Sequence, residues 1–322
     1  MKKIITIEEH FDTPQAAQLF NENVGTGQNP KPIYEKLIDF ENRLRYMDAN
    51  GIDMQILSNA GNSPQVLPGD LAISACKDIN DTLAEVIKLH PTRFAGLATL
   101  PVNNPEACVE ELKRCITDLG LKGALISGTV NGQFLDDPKF LPIFAEAEKL
   151  DIPLYLHPGY PTNEQRDLLY TSEAYPKISS MLISTFAWGW HMDQGLQMVR
   201  LIFSGIFDKF PELKIISGHW GEFVPNFIER LDSISQIPGV GLKKPFSAYY
   251  RKNVYISPSG MFTKPQFDLA IAEMGVDHIL YSEDYPYLIK EGEVRSFFDQ
   301  MSISLEDKEK IAYKNAEKLF KL

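Results

Sequence analysis

Four short apolar runs in this chain each end on side chains able to bind a metal ion or carry a proton. Glu8 and His10 follow Ile4-Ile5-Thr6-Ile7, His157 follows Pro153-Leu154-Tyr155-Leu156, His219 follows Lys214-Ile215-Ile216-Ser217, and Asp284 follows His278-Ile279-Leu280-Tyr281. Runs of this length, rich in Ile, Leu and Tyr, read as strands buried on both faces, as in a parallel sheet. Polar ligand-type residues at the carboxyl ends of several such strands are what a (β/α)8 barrel, the TIM barrel, supplies when it builds a site at one face.

The same reading along the whole chain gives eight strands, at 3–7, 54–58, 95–100, 123–126, 153–156, 214–217, 253–257 and 278–281. Helical patterns separate them at 42–50, 71–89, 105–119, 137–150, 196–210, 222–234 and 265–274, with a terminal helix at 305–320. His90-Pro91 stops one helix, Gly120 closes another, and Asp137-Pro138 supplies a cap followed by an N1 proline. Alternating strands and helices predict an α/β fold, and eight strands predict closure into a barrel. An open doubly wound sheet is disfavoured, because Glu8-Glu9-His10 stands where a glycine-rich dinucleotide loop would follow the first strand. A segment from Gly159 to about Met192, rich in Tyr, Trp, Ser and Pro, is inserted after the fifth strand and reads as a pocket wall or lid. Without repeat or linker, residues 1–322 read as one domain.

Composition narrows the function. The 44% hydrophobic content suffices for a large core, and the net charge of −11 argues against a nucleic-acid partner, since phosphate binding needs clustered Lys and Arg. Cys76, Cys108 and Cys115 lack metal or redox spacing and read as buried thiols. Met1-Lys2-Lys3 precedes too few apolar residues for a secretory signal, and no run reaches membrane-spanning length. The expectation is a cytoplasmic enzyme without a membrane partner.

The strand-end residues carry the chemistry. Glu8 and His10 lie two apart on a strand and project to one face, where His157 and Asp284 join them. Glu283 rivals Asp284, but strand alternation aims only one of the two inward. The fourth strand runs Ala124-Leu125-Ile126-Ser127-Gly128 and offers no bridging ligand, so one ion is expected, held by Glu8, His10, His157 and Asp284. Two imidazoles and two carboxylates suit Zn²⁺ or Mn²⁺ equally. His219 is then an acid/base or electrostatic group beside the metal, with Glu222, at a helix start, placed to orient it. His90 and His278 read as structural. His191, in Trp188-Gly189-Trp190-His191, is left ambiguous, and the surrounding aromatics fit either a ring-shaped substrate or packing over the barrel mouth.

The chain resembles the amidohydrolase superfamily, in the branch of metal-dependent decarboxylases that includes γ-resorcylate, 2,3-dihydroxybenzoate and 5-carboxyvanillate decarboxylases. Aminocarboxymuconate semialdehyde decarboxylase is a more distant relative. The resemblance spans nearly the whole sequence. It rests on Ile7-Glu8-Glu9-His10-Phe11, on the stretch from Arg43 to Ile52, on Leu156-His157-Pro158, on the stretch from Phe203 to Pro211 running into Gly218-His219-Trp220-Gly221-Glu222, and on Ser282-Glu283-Asp284-Tyr285-Pro286. It implies that Glu8, His10, His157 and Asp284 are metal ligands, that His219 is catalytic with Glu222 as partner, and that Arg230 meets a substrate carboxylate. Relatives of this kind imply a homodimer or homotetramer. The departure follows His157: resorcylate-type enzymes read H-P-R-N-P where this chain has His157-Pro158-Gly159-Tyr160-Pro161, so the substrate pocket is altered.

The leading expectation is therefore non-oxidative decarboxylation of a hydroxylated aromatic or similar conjugated carboxylic acid. A mononuclear hydrolase of a lactone, ester or amide uses the same ligands and is the alternative. A non-catalytic scaffold is disfavoured by the complete set of Glu8, His10, His157, His219 and Asp284.

Overall fold

The computed structural model describes residues 3–23, 29–59 and 63–322; Met1 and Lys2, part of the charged stretch considered above, lie outside them. Strands β1 (Ile5–Phe11), β2 (Met54–Asn59) and β3 (Phe94–Gly96) pair in that order, all parallel. Strands β4 (Ala98–Thr99), β5 (Ala124–Ser127), β6 (Pro153–His157), β7 (Lys214–Ser217) and β8 (Val254–Ile256) continue the parallel series. The third expected strand is thus split at Leu97. Its first half pairs with β2 and its second with β5, and the handover occurs as Leu97 N donates to Leu57 O and Ala98 N to Gly123 O, each at 2.8 Å.

The eighth expected strand is reduced to bridges. Ile279 pairs with Ile256 and Ser282 with Ile7, while Leu280 N donates to Ile256 O and Ile7 N to Tyr281 O, each at 2.9 Å. This segment therefore joins the two ends of the sheet. His278, expected to open it, lies instead in a short 3-10 turn, Val276–His278, with Nδ1 3.0 Å from Val254 O.

Alternation along the strands separates two cores. Ile5, Ile7, Met54, Ile56, Ala95, Leu97, Leu125, Tyr155, Ile216 and Leu280 form one buried cluster, the barrel interior. The residues between them, such as Leu57, Ala124, Leu154, Ile215 and Ile279, pack outward beneath the helices. Fully burying each such aliphatic side chain contributes about 1.5–3 kcal/mol. Ala316, Leu319 and Phe320 of the helix Asn315–Phe320 belong to the interior cluster and plug one end of the barrel. The other end, where the strands finish, carries the polar residues.

Several helices depart from expectation. Pro14–Asn23 and Lys31–Ile38 precede the helix Phe40–Asn50, which starts two residues before the expected 42–50. The inserted segment is largely helical, with Asn163–Leu169 started by a Thr162/Gln165 capping box and Lys177–Ser184 behind it. The helix expected at 196 begins at Gly189, which places His191 in its first turn. The helix expected from Glu222 begins at Ile228, because residues 219–223 turn the other way. Cys76, Cys108 and Cys115 are buried and free. No helix among the described residues is long and apolar enough to cross a membrane.

Candidate functional site

Interior alternation would carry Ile5 and Ile7 on to Glu9 and leave Glu8 and His10 facing outward. A bulge prevents this. The β1–β2 register shifts between Thr6 and Glu9, and Glu8 takes φ 62°, so one extra residue is accommodated and the pleat reverses. Glu8 and His10 then join His157, two residues beyond interior Tyr155, and Asp284, four beyond interior Leu280. One ligand atom from each of these four buried residues lies within 4.8 Å of the others.

The four donors are arranged for a cation. His10 Nε2 lies 3.0 Å from Asp284 Oδ1 and His157 Nε2 lies 3.7 Å from Glu8 Oε1. Glu8 Oε1 and His10 Nε2 are nevertheless buried without a hydrogen-bond partner among the described residues. The other imidazole nitrogens are engaged: His10 Nδ1 sits 3.2 Å from Ser58 Oγ and His157 Nδ1 2.7 Å from Pro158 O. Such contacts orient metal-binding imidazoles. Burial, then the Arg43 charge, lowers the His10 pKa to about 3, and burial with the neighbouring His10 and His219 lowers that of His157 as well, so both rings are neutral. Burial raises Glu8 and Asp284 to about 7, despite the opposing His219 charge. Two buried carboxylates beside two neutral imidazoles with free lone pairs fit one divalent cation.

Beside this cluster the chain makes a left-handed turn. His219, Trp220, Gly221, Glu222 and Phe223 take φ values of 47°, 56°, 82°, 52° and 66°. That conformation costs about 1–2 kcal/mol for each non-glycine residue. Surrounding bonds hold it: His219 N donates to Ser259 Oγ at 2.8 Å, Trp220 N to Ser257 O at 2.8 Å, and Trp220 Nε1 to Met261 O at 2.7 Å. The turn brings His219 Nδ1 to 2.7 Å from Glu222 Oε1. Burial opposes the charged form of His219, yet the carboxylates of Glu222 and Glu8 outweigh it and raise its pKa from 6.5 to about 10. Glu222, although buried, is lowered by the same partner and by His191.

The rival carboxylates face elsewhere. Glu9 accepts from Glu283 N at 3.0 Å and Tyr285 N at 3.1 Å, and Glu283 accepts from Tyr46 Oη at 2.6 Å. Asp284, between them, points inward with φ 61°. The Arg43 guanidinium is fully buried, donates to the His10 carbonyl and lies 4.2 Å from the centre of the Tyr285 ring. Together Glu9 and Arg43 tie the end of β1 to the turn that carries Asp284. Arg230 is not brought into this group; it stands exposed on the helix Ile228–Ser235.

Two further residues join the group, one that the sequence does not single out and one whose role it leaves open. Ser259, which donates to Glu8 Oε2 and accepts from His219 N, follows β8 in Ser257-Pro258-Ser259. Applying the strand-end rule to that strand would have found it. His191, ambiguous from sequence, has its Nδ1 2.8 Å from Glu222 Oε2. Only the aromatic run around it, in the inserted segment, hinted at a role.

Residues 34–322 match the family described as Amidohydrolase. The chain is 36% identical to gamma-resorcylate decarboxylase of Rhizobium sp. (strain MTP-10005), over 100% of this chain and 99% of the relative. It superposes with TM-score 0.88 on a dihydroxybenzoic acid decarboxylase from Polaromonas sp. JS666 with bound manganese and the inhibitor 2-nitroresorcinol, at 33% identity and covering 100% and 98% of the two chains. A 5-carboxyvanillate decarboxylase from Sphingomonas paucimobilis gives TM-score 0.91 at 28% identity, covering 100% of both chains.

Proposed function

Because this chain belongs to the amidohydrolase family, we propose that it is a metal-dependent, non-oxidative decarboxylase of a hydroxylated aromatic carboxylic acid. One observation carries the reading: Glu8 Oε1 and His10 Nε2, buried and without a hydrogen-bond partner among the described residues, converge with His157 and Asp284 next to a histidine–carboxylate pair. The relatives named above support the substrate class, as dihydroxybenzoate, resorcylate and carboxyvanillate are all hydroxylated aromatic acids.

Glu8, His10, His157 and Asp284 would hold the ion, Mn²⁺ or Zn²⁺, and when bound it would supply positive charge to a substrate carboxylate and its ortho oxygen. His219 has Nδ1 committed to Glu222, so Nε2 is the nitrogen free to exchange a proton with the phenolic oxygen. Asp284 delivers a proton to the ring carbon that bears the carboxylate. The bond to that carboxylate then breaks, its electron pair restores the aromatic ring, and CO₂ departs. Solvent supplies a fresh proton to Asp284, so one proton is taken up for each CO₂ released.

Self-association as a homodimer or homotetramer is part of the proposal. Leu168, Leu169, Ile178, Phe186 and Trp188 of the inserted segment are at least 48% exposed, an apolar surface suited to a second copy. Three free, buried cysteines support a reducing, cytoplasmic location. The deciding experiment is metal analysis of purified protein, restoration with Mn²⁺ or Zn²⁺, and assay of a hydroxybenzoate panel. Stoichiometric CO₂ release is expected. Acid release from lactones or esters without any decarboxylation would instead establish a hydrolase.

A further inference from the structure

Glu222 is a buried carboxylate serving two imidazoles at once. Its side chain is 0% exposed, Oε1 lies 2.7 Å from His219 Nδ1, and Oε2 lies 2.8 Å from His191 Nδ1. An ionised carboxylate only accepts hydrogen bonds. Both Nδ1 atoms therefore carry the hydrogen, and the two rings, with centroids 4.4 Å apart, are held in defined tautomers. His219 comes from the left-handed turn after β7, whereas His191 comes from the first turn of the helix Gly189–Phe203.

We propose that His191 is a positioning residue for His219, acting through Glu222. The proposal deepens the decarboxylase reading and rests on it for the role of His219. With His219 as its only donor, the Glu222 carboxylate could turn about its terminal bond, and Oε2 would be buried without a partner. The second donor removes that freedom. Glu222 then presents a fixed acceptor to His219, and the His219 ring, 6.4 Å from that of His157 between centroids, keeps one orientation.

The same histidine ties the inserted segment to the proton-transfer pair. With its hydrogen on Nδ1, His191 accepts at Nε2 from Trp190 Nε1 at 3.0 Å. Trp190 in turn makes ring contacts with Phe186 at 5.5 Å and Tyr160 at 5.8 Å. The inserted aromatic segment is therefore hydrogen-bonded, through one side chain, to the carboxylate behind His219. His191, His219 and Glu222 also lie close enough together to hold an ion. The hydrogen-bond spacing of each imidazole to a separate oxygen favours protons in those positions.

The test uses the zinc-loaded holoenzyme with ¹⁵N-labelled histidine, which reads tautomers directly by NMR. Wild type should show Nδ1–H on both His191 and His219. His191→Leu should shift the His219 Nδ1–H resonance, leave one metal ion per chain, and lower kcat by about tenfold or more with little change in KM. His191→Gln, whose amide can still donate to Oε2, should recover most of the loss. Adding His191→Leu to His219→Asn should cost nothing further, because a residue acting through His219 has nothing left to act on. Should His191→Leu fail to fold, His191→Asn, too short to reach Glu222, takes its place. An unmoved His219 resonance with full kcat would overturn this proposal alone, as would two ions per chain with the second lost in the variant. An active His219→Asn would overturn the reading beneath it.

Discussion

At the scale of single residues, an ionised carboxylate in a water-excluded site needs a cation or several donors, because its desolvation is otherwise uncompensated. Glu9 meets this need with two backbone donors, and Glu283 takes one bond from Tyr46, whereas Glu8, bonded to Ser259 through Oε2, turns Oε1 toward the imidazoles and has no hydrogen-bond partner for it among the described residues. The adjacent acids should therefore differ in mutants. Asp284→Asn should lower bound metal and abolish decarboxylation, while Glu283→Gln, which can still accept from Tyr46, should keep the metal. Elemental analysis of both variants checks this, and equal loss in the two would refute the assignment. His219→Asn should keep one ion per chain and lose about 10²–10⁴-fold in kcat, the usual contribution of a general acid or base.

Elements matter here through three departures from regular geometry at the ends of strands. The bulge at Glu8 reverses the pleat of β1, the left-handed turn after β7 joins His219 to Glu222, and Asp284 has positive φ after the bridging segment 279–282. Gly218 lets the first two meet. Its φ of −70° and ψ of −169° suit any residue, but a Cβ there would strike Tyr155 Oη and lie 2.7 Å from Ser259 Oγ and 3.0 Å from Glu8 Oε1. Gly218→Ala should consequently fold while displacing the Glu8 carboxylate, weakening metal affinity by about tenfold or more. Metal titration measures the effect, and wild-type affinity would show that Glu8 is not held by this contact. The sequence made the residue types legible but not these backbone reversals. A bulge and a left-handed turn are set by bonds to distant segments, such as Trp220 N to Ser257 O.

For the whole molecule, the concentration of ionisable groups at one barrel end couples stability to pH and to metal. Without metal, Glu8 and Asp284 titrate at about 7, Glu9 and Glu283 at about 8, and His219 at about 10, all above their ordinary values. Between pH 6.5 and 8 the folded chain therefore binds protons that the unfolded chain has released, so stability falls as pH rises. His10 and His157, lowered from 6.5, act in the opposite sense only below that window. The Tm of chelator-treated protein should fall from pH 6.5 to 8, and a rising Tm would contradict the arrangement. Restoring a divalent ion should raise Tm more at pH 8 than at 6.5, where ligand carboxylates still hold protons. At a hundredfold excess over Kd the gain is about 2.7 kcal/mol.

By itself the sequence determined the parallel α/β order and singled out Glu8, His10, His157, His219 and Asp284 as polar residues at strand ends. These follow from local patterns, because a buried strand must be apolar and its polar terminus stands out against it. Only the tertiary structure decided which way those residues face, that Ser259 braces Glu8, and that His191 from the inserted segment shares Glu222 with His219. Those outcomes depend on contacts between segments far apart in the chain, which no local period encodes.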